Sequence, residues 1–160
     1  MLDETAVGDY QTNFKVNPHL RSKADITALI KGINDGTIDT ITSAHQPQDE
    51  ECKNLEFDKA DFGMIGLETC FALANTALRG KVELDKIVAL IAGKPRKVLD
   101  MPENTIEEGV EADLTLFDPD KKWIFAESDI RSKSKNTPFI NTEFVGKALG
   151  VINKGKIYLN

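Results

Sequence analysis

The hydrophobic pattern changes character near Met101-Pro102, and this change constrains the fold more than any other feature. Before it, residues 22–33 carry an apolar helical face with Ser22 as a candidate N-cap, and the mostly β-branched residues 37–42 predict a strand. A helix, a strand, a long loop and further helices in this order are typical of α/β folds with parallel strands. After residue 101 the apolar segments are short, which predicts a β-rich tail.

The chain therefore divides into residues 1–100 and residues 101–160. Asn34-Asp35-Gly36 is expected to end the first helix. Two more helices are predicted at residues 66–78 and 84–91, the second ending at Gly93. The inward residues expected on the helix over 66–78 are Leu67, Cys70, Phe71, Ala74 and Leu78. Strands are predicted at residues 113–117, 122–125, 143–147 and 149–159, with turns at 118–120 and 153–155.

Composition narrows the class of protein. The net charge of −6 and the absence of a basic cluster disfavour nucleic acid and acidic membrane surfaces as partners. No apolar run approaches the ~20 residues that span a bilayer, and the acidic start does not resemble a signal peptide, so a cytoplasmic location is expected. With only two cysteines and two histidines, neither a disulfide framework nor an independent catalytic zinc site is expected.

Three stretches together resemble the C-terminal part of a class I dihydroorotase, a family of the amidohydrolase superfamily. They are residues 13–21 (NFKVNPHLR), residues 35–48, which end in SAHQPQ, and residues 57–69, which contain FGMIGLET. Gly109 with the following Ala112-Asp113-Leu114, and the run SKSKNTPF at residues 132–139, are similar to the tail of the same family. The resemblance covers nearly the whole chain. It implies an α/β fold: a C-terminal portion of a (β/α)8 barrel followed by part of a flanking β-sandwich.

The resemblance also implies roles for individual residues. Asn17, Gln48, Phe62 and Gly63 correspond to positions that contact substrate in the family, although Gln48 replaces a histidine there. Ala44 occupies the position of the family's catalytic aspartate, which moves the proton from the attacking hydroxide to the leaving nitrogen. Since an alanine side chain transfers no proton, the resemblance gives this chain no catalytic residue.

The family's zinc ligands would precede the first matched stretch. Residue 1 would then correspond to a point about three-fifths along a full-length enzyme, and a whole barrel needs ~250 residues. We therefore expect a truncated chain that binds no metal alone and that associates with the missing N-terminal part of the barrel or with itself. The uncovered strand edges and apolar faces of such a portion favour association.

Simpler interpretations remain open for several residues. Asn17 could be a turn residue before a proline, and Phe62 could belong to the core. Gly63 could mark a close backbone approach or a positive φ. His45 is more readily a packing histidine than a metal ligand, and the acidic run at residues 49–51 is more readily a solvated face than a general base. Ser43 has no activating partner at motif spacing, and Asp113 is interpreted as a structural residue of the tail.

The sequence leaves two functional hypotheses, which assign the chain to different classes of protein. In the first, the chain is a piece of a dihydroorotase, a zinc-dependent enzyme that hydrolyses the cyclic amide of dihydroorotate in pyrimidine biosynthesis. In the second, it belongs to a non-catalytic dihydroorotase-like scaffold that supports aspartate transcarbamoylase, which the residues at positions 44 and 48 favour. A small binding module that uses the β-rich tail is a third, weaker alternative.

Overall fold

A computed structural model describes residues 1–160 and shows a helical first part followed by a small antiparallel sheet. The α-helices are α1 (Lys23–Asp35), α2 (Glu50–Lys53), α3 (Cys70–Leu78), α4 (Leu84–Val88) and α5 (Lys94–Val98). The strands are β1 (Leu114–Ile124), β2 (Glu143–Asn153) and β3 (Lys156–Leu159). Short 3₁₀ turns lie at Glu4–Val7, Thr12–Phe14 and Glu127–Asp129. None of the helices combines the length and the hydrophobicity that crossing a bilayer requires.

The first helix begins and ends where the sequence predicts. The Ser22 hydroxyl accepts the Asp25 N–H, and the Asp25 carboxylate accepts the Ser22 N–H, so both backbone donors are satisfied by a capping box. Gly36 follows with φ 85°, the left-handed conformation that ends many helices. The apolar face of α1 buries Ile33 against α4 and its continuation.

The other two predicted helices differ from expectation at their ends. α3 begins at Cys70 rather than at residue 66, because the Leu67 N–H donates to the His45 ring and residues 67–69 form a turn. Leu67 is consequently 65% exposed, and its predicted inward position is wrong. Gly93 does not end the next helix: α4 continues through a π-helical turn, Ala89–Gly93, into α5. Pro95 lacks an N–H, and a wide turn before it avoids the clash of its ring with the preceding turn.

Residues 37–42 do not form the predicted strand. They run without a turn or a bend, but no neighbouring strand pairs with them. The one parallel pairing nearby is an isolated bridge between His45 and Met64. A strand needs a hydrogen-bonded neighbour, so a sequence with strand propensity stays irregular where the structure offers none.

The tail forms a sheet of order β1-β2-β3, in which all neighbours are antiparallel. The predicted turn at residues 153–155 joins β2 and β3, with Lys154 and Gly155 both at positive φ. The other predicted turn is wrong, since residues 118–120 lie in an irregularity within the single strand β1. Predicted segments 143–147 and 149–159 likewise become the long strand β2 and the short strand β3.

Asp113 lies just before β1 and acts structurally, as the sequence indicates. Its carboxylate accepts hydrogen bonds from Asn153 (2.8 Å), Asn104 (2.6 Å) and Arg96 (3.0 Å). These bonds tie α5, the following loop and the end of β2 together. The two amide hydrogen bonds, from Asn153 first and then from Asn104, lower the pKa of Asp113, with the Arg96 charge adding to them.

The core consists of two small clusters connected by α3. One contains Ile33, Leu78, Val82, Ile87 and Leu90, and the other contains Ala72, Phe125, Phe139 and Phe144. Asn75, on the same helix, donates to the carbonyls of Pro119 (2.9 Å) and Val145 (2.8 Å), which fastens the helical part to the sheet. Only 21 of the 160 residues are buried, so much of the apolar surface of this fold lies uncovered.

Candidate functional site

The long loop between residue 43 and α3 folds back on itself and carries most of the residues that the resemblance singles out. Besides the His45–Met64 bridge, the Gln46 N–H donates to the Met64 carbonyl at 2.8 Å. Gly63 has φ 127°, and a Cβ at this position would lie 2.7 Å from the Cβ of Gln46. The predicted close approach and positive φ of Gly63 are therefore confirmed, since only glycine fits here.

Asn136 fastens this loop from the other half of the chain. Its side-chain amide donates to the carbonyls of Gln46 (3.0 Å) and Gly63 (3.2 Å), and its side-chain oxygen accepts the Gln48 N–H (3.3 Å). Its own carbonyl accepts the Ile65 N–H at 3.0 Å. The residue is only 5% exposed. Both arms of the loop are thus fixed to one another through a single buried amide.

Two buried lysines hold residues 58–63, which we call the tip of the loop. Lys15 donates to the Asp58 carbonyl at 2.9 Å, and Lys53 donates to the carbonyls of Asp61 (2.8 Å) and Gly63 (3.1 Å). The exposed fractions of Lys15 and Lys53 are 9% and 6%, and neither ammonium group is paired with a carboxylate. Burial, together with the neighbouring Lys15 charge, lowers the pKa of Lys53. The loop is therefore built around cations that bind backbone carbonyls.

Gln48, Phe62 and Gly63 lie together at this tip. The Gln48 side chain donates to the Phe62 carbonyl at 2.8 Å. Phe62 is 50% exposed, which excludes it from the core, and the Lys15 ammonium lies 4.8 Å from its ring centroid. The distance and geometry fit a cation–π contact, which holds the ring over the loop.

Asn17 and Ala44 lie on a different cavity from Gln48. Both line a mostly apolar groove of about 410 Å³, together with Gln46 and apolar residues of α3. Gln48 instead lines a polar cleft of about 650 Å³ beside Lys53 and Asn136. The structure thus separates the proposed substrate positions: Asn17 lies in the groove that Ala44 also lines, whereas Gln48 contacts Phe62 next to Gly63.

Ala44 has an unusual backbone conformation, with φ 46° in the left-handed region. Residues other than glycine are uncommon here, and asparagine and aspartate are the side chains most often found. An aspartate at residue 44 would therefore suit this backbone at least as well as alanine does.

The histidine and the acidic run have structural explanations. The His45 Nδ1 atom accepts the N–H groups of Gly66 (3.1 Å) and Leu67 (3.3 Å), which positions the start of the turn before α3. Residues 49–51 lie exposed around the start of α2. No three His, Cys, Asp or Glu side chains of the 160 residues cluster as ligands of a metal ion. The donor set of this chain does not fit a metal.

The sequence does not predict several residues that hold the site together. Asn136 lies in a polar run, and neither asparagine nor lysines such as Lys15 and Lys53 are often buried. Glu68 accepts the backbone N–H groups of Arg131 (3.0 Å) and Ser132 (2.7 Å), so it positions the segment that leads to Asn136. The sequence shows only that residues 132–139 are similar to a stretch of the family, and gives this segment no place in the site.

Comparison with known proteins gives concordant relatives, although no family model matches the chain. A dihydroorotase of Citrifermentans bemidjiense is 38% identical over 157 residues, which are 98% of this chain and 37% of the relative. A dihydroorotase of Caldicellulosiruptor saccharolyticus is 41% identical over 158 residues, with the same two coverages of 98% and 37%. The chain thus spans about 37% of the length of the curated relatives it matches.

Solved structures agree on the fold. An L-hydantoinase (dihydropyrimidinase) from Arthrobacter aurescens superimposes with a TM-score of 0.88 and 26% identity, over 99% of this chain and 37% of the hydantoinase. A dihydropyrimidinase from Brevibacillus agri superimposes with a TM-score of 0.84 and 23% identity, over the whole of this chain and 37% of the other.

Proposed function

Because this chain is homologous to dihydroorotases and folds as a C-terminal portion of an amidohydrolase, we propose that it carries one side of a dihydroorotase-type substrate site and is catalytically inactive by itself. The reaction in question is the hydrolytic opening of the cyclic amide of dihydroorotate, in pyrimidine biosynthesis. The observation that carries the proposal is the match of 98% of the chain to dihydroorotases at 38–41% identity.

Asn17 contributes a polar side chain to the groove side of the proposed site, which Ala44 also lines. The Asn17 side chain is exposed and makes no hydrogen bond within the chain, so its amide is free to donate to and accept from a ring amide. Ala44 stands where the proposal expects the proton-transferring acid. The left-handed backbone at residue 44, which favours aspartate over alanine, supports this correspondence.

Gln48 and the Phe62-Gly63 tip form the second half of the proposed site. The Gln48 amide donates to the Phe62 carbonyl, so it would have to exchange this bond for one to a substrate carboxylate. A histidine at residue 48 could supply a positive charge that glutamine lacks. Substitution at both residue 44 and residue 48 thus removes proton transfer and weakens anion binding.

The His, Cys, Asp and Glu side chains of this chain do not form a metal site, so we assign metal binding to none of its residues. Catalysis by an assembled protein would depend on groups supplied from the remaining part of the fold. We also propose a cytoplasmic location, because both cysteines are free in the structure, as expected in a reducing compartment.

The second candidate function is a non-catalytic dihydroorotase-like scaffold that supports aspartate transcarbamoylase. The observation that favours it is the presence of Ala44 and Gln48 in a loop that is otherwise fully fastened by Asn136 and Lys53. Such a loop preserves the geometry of a site without its reactive groups. The two functions predict different results when an aspartate is placed at residue 44 and a histidine at residue 48. Hydrolysis of dihydroorotate returns under the first function and does not return under the second.

The test uses a chimera in which this chain replaces the matching 158 residues of the Caldicellulosiruptor saccharolyticus dihydroorotase. Ring opening of dihydroorotate is measured with added zinc for the chimera, for Ala44→Asp, for Gln48→His and for the double variant. We expect no turnover from the unmodified chimera and the highest turnover from the double variant. A positioned acid or base contributes roughly 10²–10⁴-fold, and it is effective only on a correctly held substrate.

His45→Gln serves as the control, since it alters a neighbouring side chain that hydrogen-bonds the backbone rather than a proposed reactive group. It should not restore turnover. A folded double-variant chimera that binds dihydroorotate but does not turn it over would contradict the roles given to residues 44 and 48. Turnover by the unmodified chimera would contradict the proposed inactivity.

A further inference from the structure

Asn136 is the one side chain outside the loop that hydrogen-bonds both Gln48 and Gly63, two of the positions proposed to contact substrate. It lies 88 residues from Gln48 and 73 residues from Gly63 in the sequence. Its Oδ1 atom accepts the Gln48 N–H, and its Nδ2 atom donates to the carbonyls of Gly63 and Gln46. Both hydrogens of the amide and its oxygen are therefore used within the loop.

The loop presents two acceptors and one donor to this position, and a primary amide matches that set. A flipped amide would place its oxygen against the carbonyls of Gln46 and Gly63, so the hydrogen-bond network fixes the orientation of the Asn136 side chain. An ionised aspartate has no hydrogen to donate, and an apolar side chain leaves all three backbone groups without this partner. The position therefore requires the chemistry of an amide.

The backbone that carries Asn136 is held by other contacts. The Ile65 N–H donates to the Asn136 carbonyl at 3.0 Å, and the Glu68 carboxylate accepts the N–H groups of Arg131 and Ser132. Because this segment is anchored and the residue is only 5% exposed, the side chain has little freedom to follow a moving loop. Asn136 therefore sets the position of the loop rather than adapting to it.

The contacts of Asn136 favour one side of the proposed site. It lines the polar cleft together with Gln48, whereas Asn17 and Ala44 line the apolar groove, and it makes no hydrogen bond to either of them. The nearby Lys53 ammonium is buried and bound to backbone carbonyls. Residue 48 is thus the group of this loop that remains for a ligand carboxylate.

We infer that Asn136 is a positioning residue that determines how tightly this side of the site holds the carboxylate of its ligand. It acts through residue 48: its bond to the Gln48 N–H fixes the backbone that carries the Gln48 side chain, and its bond to Gly63 fixes the tip beside that side chain. The inference rests on the proposed function, which assigns the ligand carboxylate to residue 48. Loss of Asn136 should therefore weaken recognition of the carboxylate more than recognition of the ring.

The test compares two ligands of the Caldicellulosiruptor saccharolyticus chimera by isothermal titration: dihydroorotate, and dihydrouracil, which has the same ring without the carboxylate. The unmodified chimera keeps Ala44, so binding is measured without the hydrolysis that an acid there would support. We expect Asn136→Ala to weaken binding of dihydroorotate about five- to tenfold and binding of dihydrouracil less than about twofold. Asn54→Ala is the control, since Asn54 lines the same cleft without a side-chain hydrogen bond, and it should change neither affinity.

The ratio of the two affinities separates positioning from stability. Partial unfolding of a variant weakens both ligands by the same factor, so it leaves the ratio unchanged. If Asn136→Ala does not fold in the chimera, Asn136→Ser, which keeps a hydroxyl group, is measured in the same way and should change the ratio in the same direction. When Gln48→Ala is present, Asn136→Ala should no longer change the ratio, because the residue through which it acts is missing.

Equal weakening of both ligands by Asn136→Ala would overturn the inference and leave the proposed function intact. A change in the ratio that persists beside Gln48→Ala would also overturn it, since Asn136 would then act through another group. An unmodified chimera that is folded but binds neither ligand would contradict the proposed function itself, and the inference with it.

Discussion

Replacing Asn136 by alanine should destabilise the chain, because this buried side chain fastens the loop between residue 43 and α3. The side chain makes three hydrogen bonds, to the carbonyls of Gln46 and Gly63 and from the Gln48 N–H. Each contributes about 0.5–1.5 kcal/mol net, and the bonds of 3.2 and 3.3 Å belong at the lower end. The Gly63 carbonyl keeps its bond from Lys53, so we expect a loss of about 2–3 kcal/mol.

The assay is urea unfolding followed by the fluorescence of Trp123, the only tryptophan. With a slope of about 2 kcal/mol/M, the expected loss lowers the midpoint by about 1–1.5 M. Asn54→Ala is the matched control: Asn54 is exposed and its side chain makes no hydrogen bond, so its effect should stay within about 0.5 kcal/mol. Asn136→Asp should cost more than Asn136→Ala at pH 7, because a carboxylate would face two carbonyl oxygens. If Asn136→Ala and Asn54→Ala unfold at the same urea concentration, Asn136 does not fasten the loop.

Further predictions concern the sheet, pH, the thiols and metal. Gly146→Ala should lower the free energy of unfolding, measured by thermal unfolding, by more than about 1 kcal/mol, since φ is 99° and a Cβ would lie 2.7 Å from a neighbouring atom. Gly93→Ala is the control: it has open space around it and should be neutral or stabilising. The free energy of unfolding of the native chain should exceed that of Asp113→Asn fully above about pH 5. This difference should disappear as the pH falls from about 4 through the lowered pKa of Asp113 in the folded state. A difference in stability that does not change with pH would contradict this prediction. Cys52 and Cys70 should react with a disulfide reagent at pH 7 more slowly than in urea, because a hydrogen bond with a nearby carboxylate raises the pKa of Cys52 and burial raises that of Cys70. Elemental analysis of the isolated chain should find no stoichiometric zinc; one tightly bound equivalent would contradict the expected ligand supply.

Local signals predicted the elements whose ends are set by neighbouring residues. Ser22, Asp25 and Gly36 define both ends of α1, because caps act over only a few residues. Elements that depend on distant partners were predicted less well. The start of α3 depends on His45, which lies 22 residues before Leu67, and residues 37–42 have strand propensity without a neighbouring strand.

The candidate site was predicted through resemblance rather than through residue chemistry. Gly63 could be singled out because its conformation excludes other residues, and Ala44 because a family motif surrounds it. Asn136, Lys15 and Lys53 could not, since their burial arises from contacts across long sequence separations and polar residues are usually exposed. The division of the site into a groove side and a tip side likewise follows from three-dimensional packing alone.

We propose that this chain carries part of a dihydroorotase-type site but performs no hydrolysis by itself. Ring opening of dihydroorotate should be measured for the isolated, unmodified chain with added zinc, beside the Caldicellulosiruptor saccharolyticus dihydroorotase at equal concentration. We predict turnover by the relative and none above the buffer rate by the chain. Turnover by the isolated chain that disappears in Asn17→Ala would contradict the claim, since the reactive groups would then lie within these 160 residues.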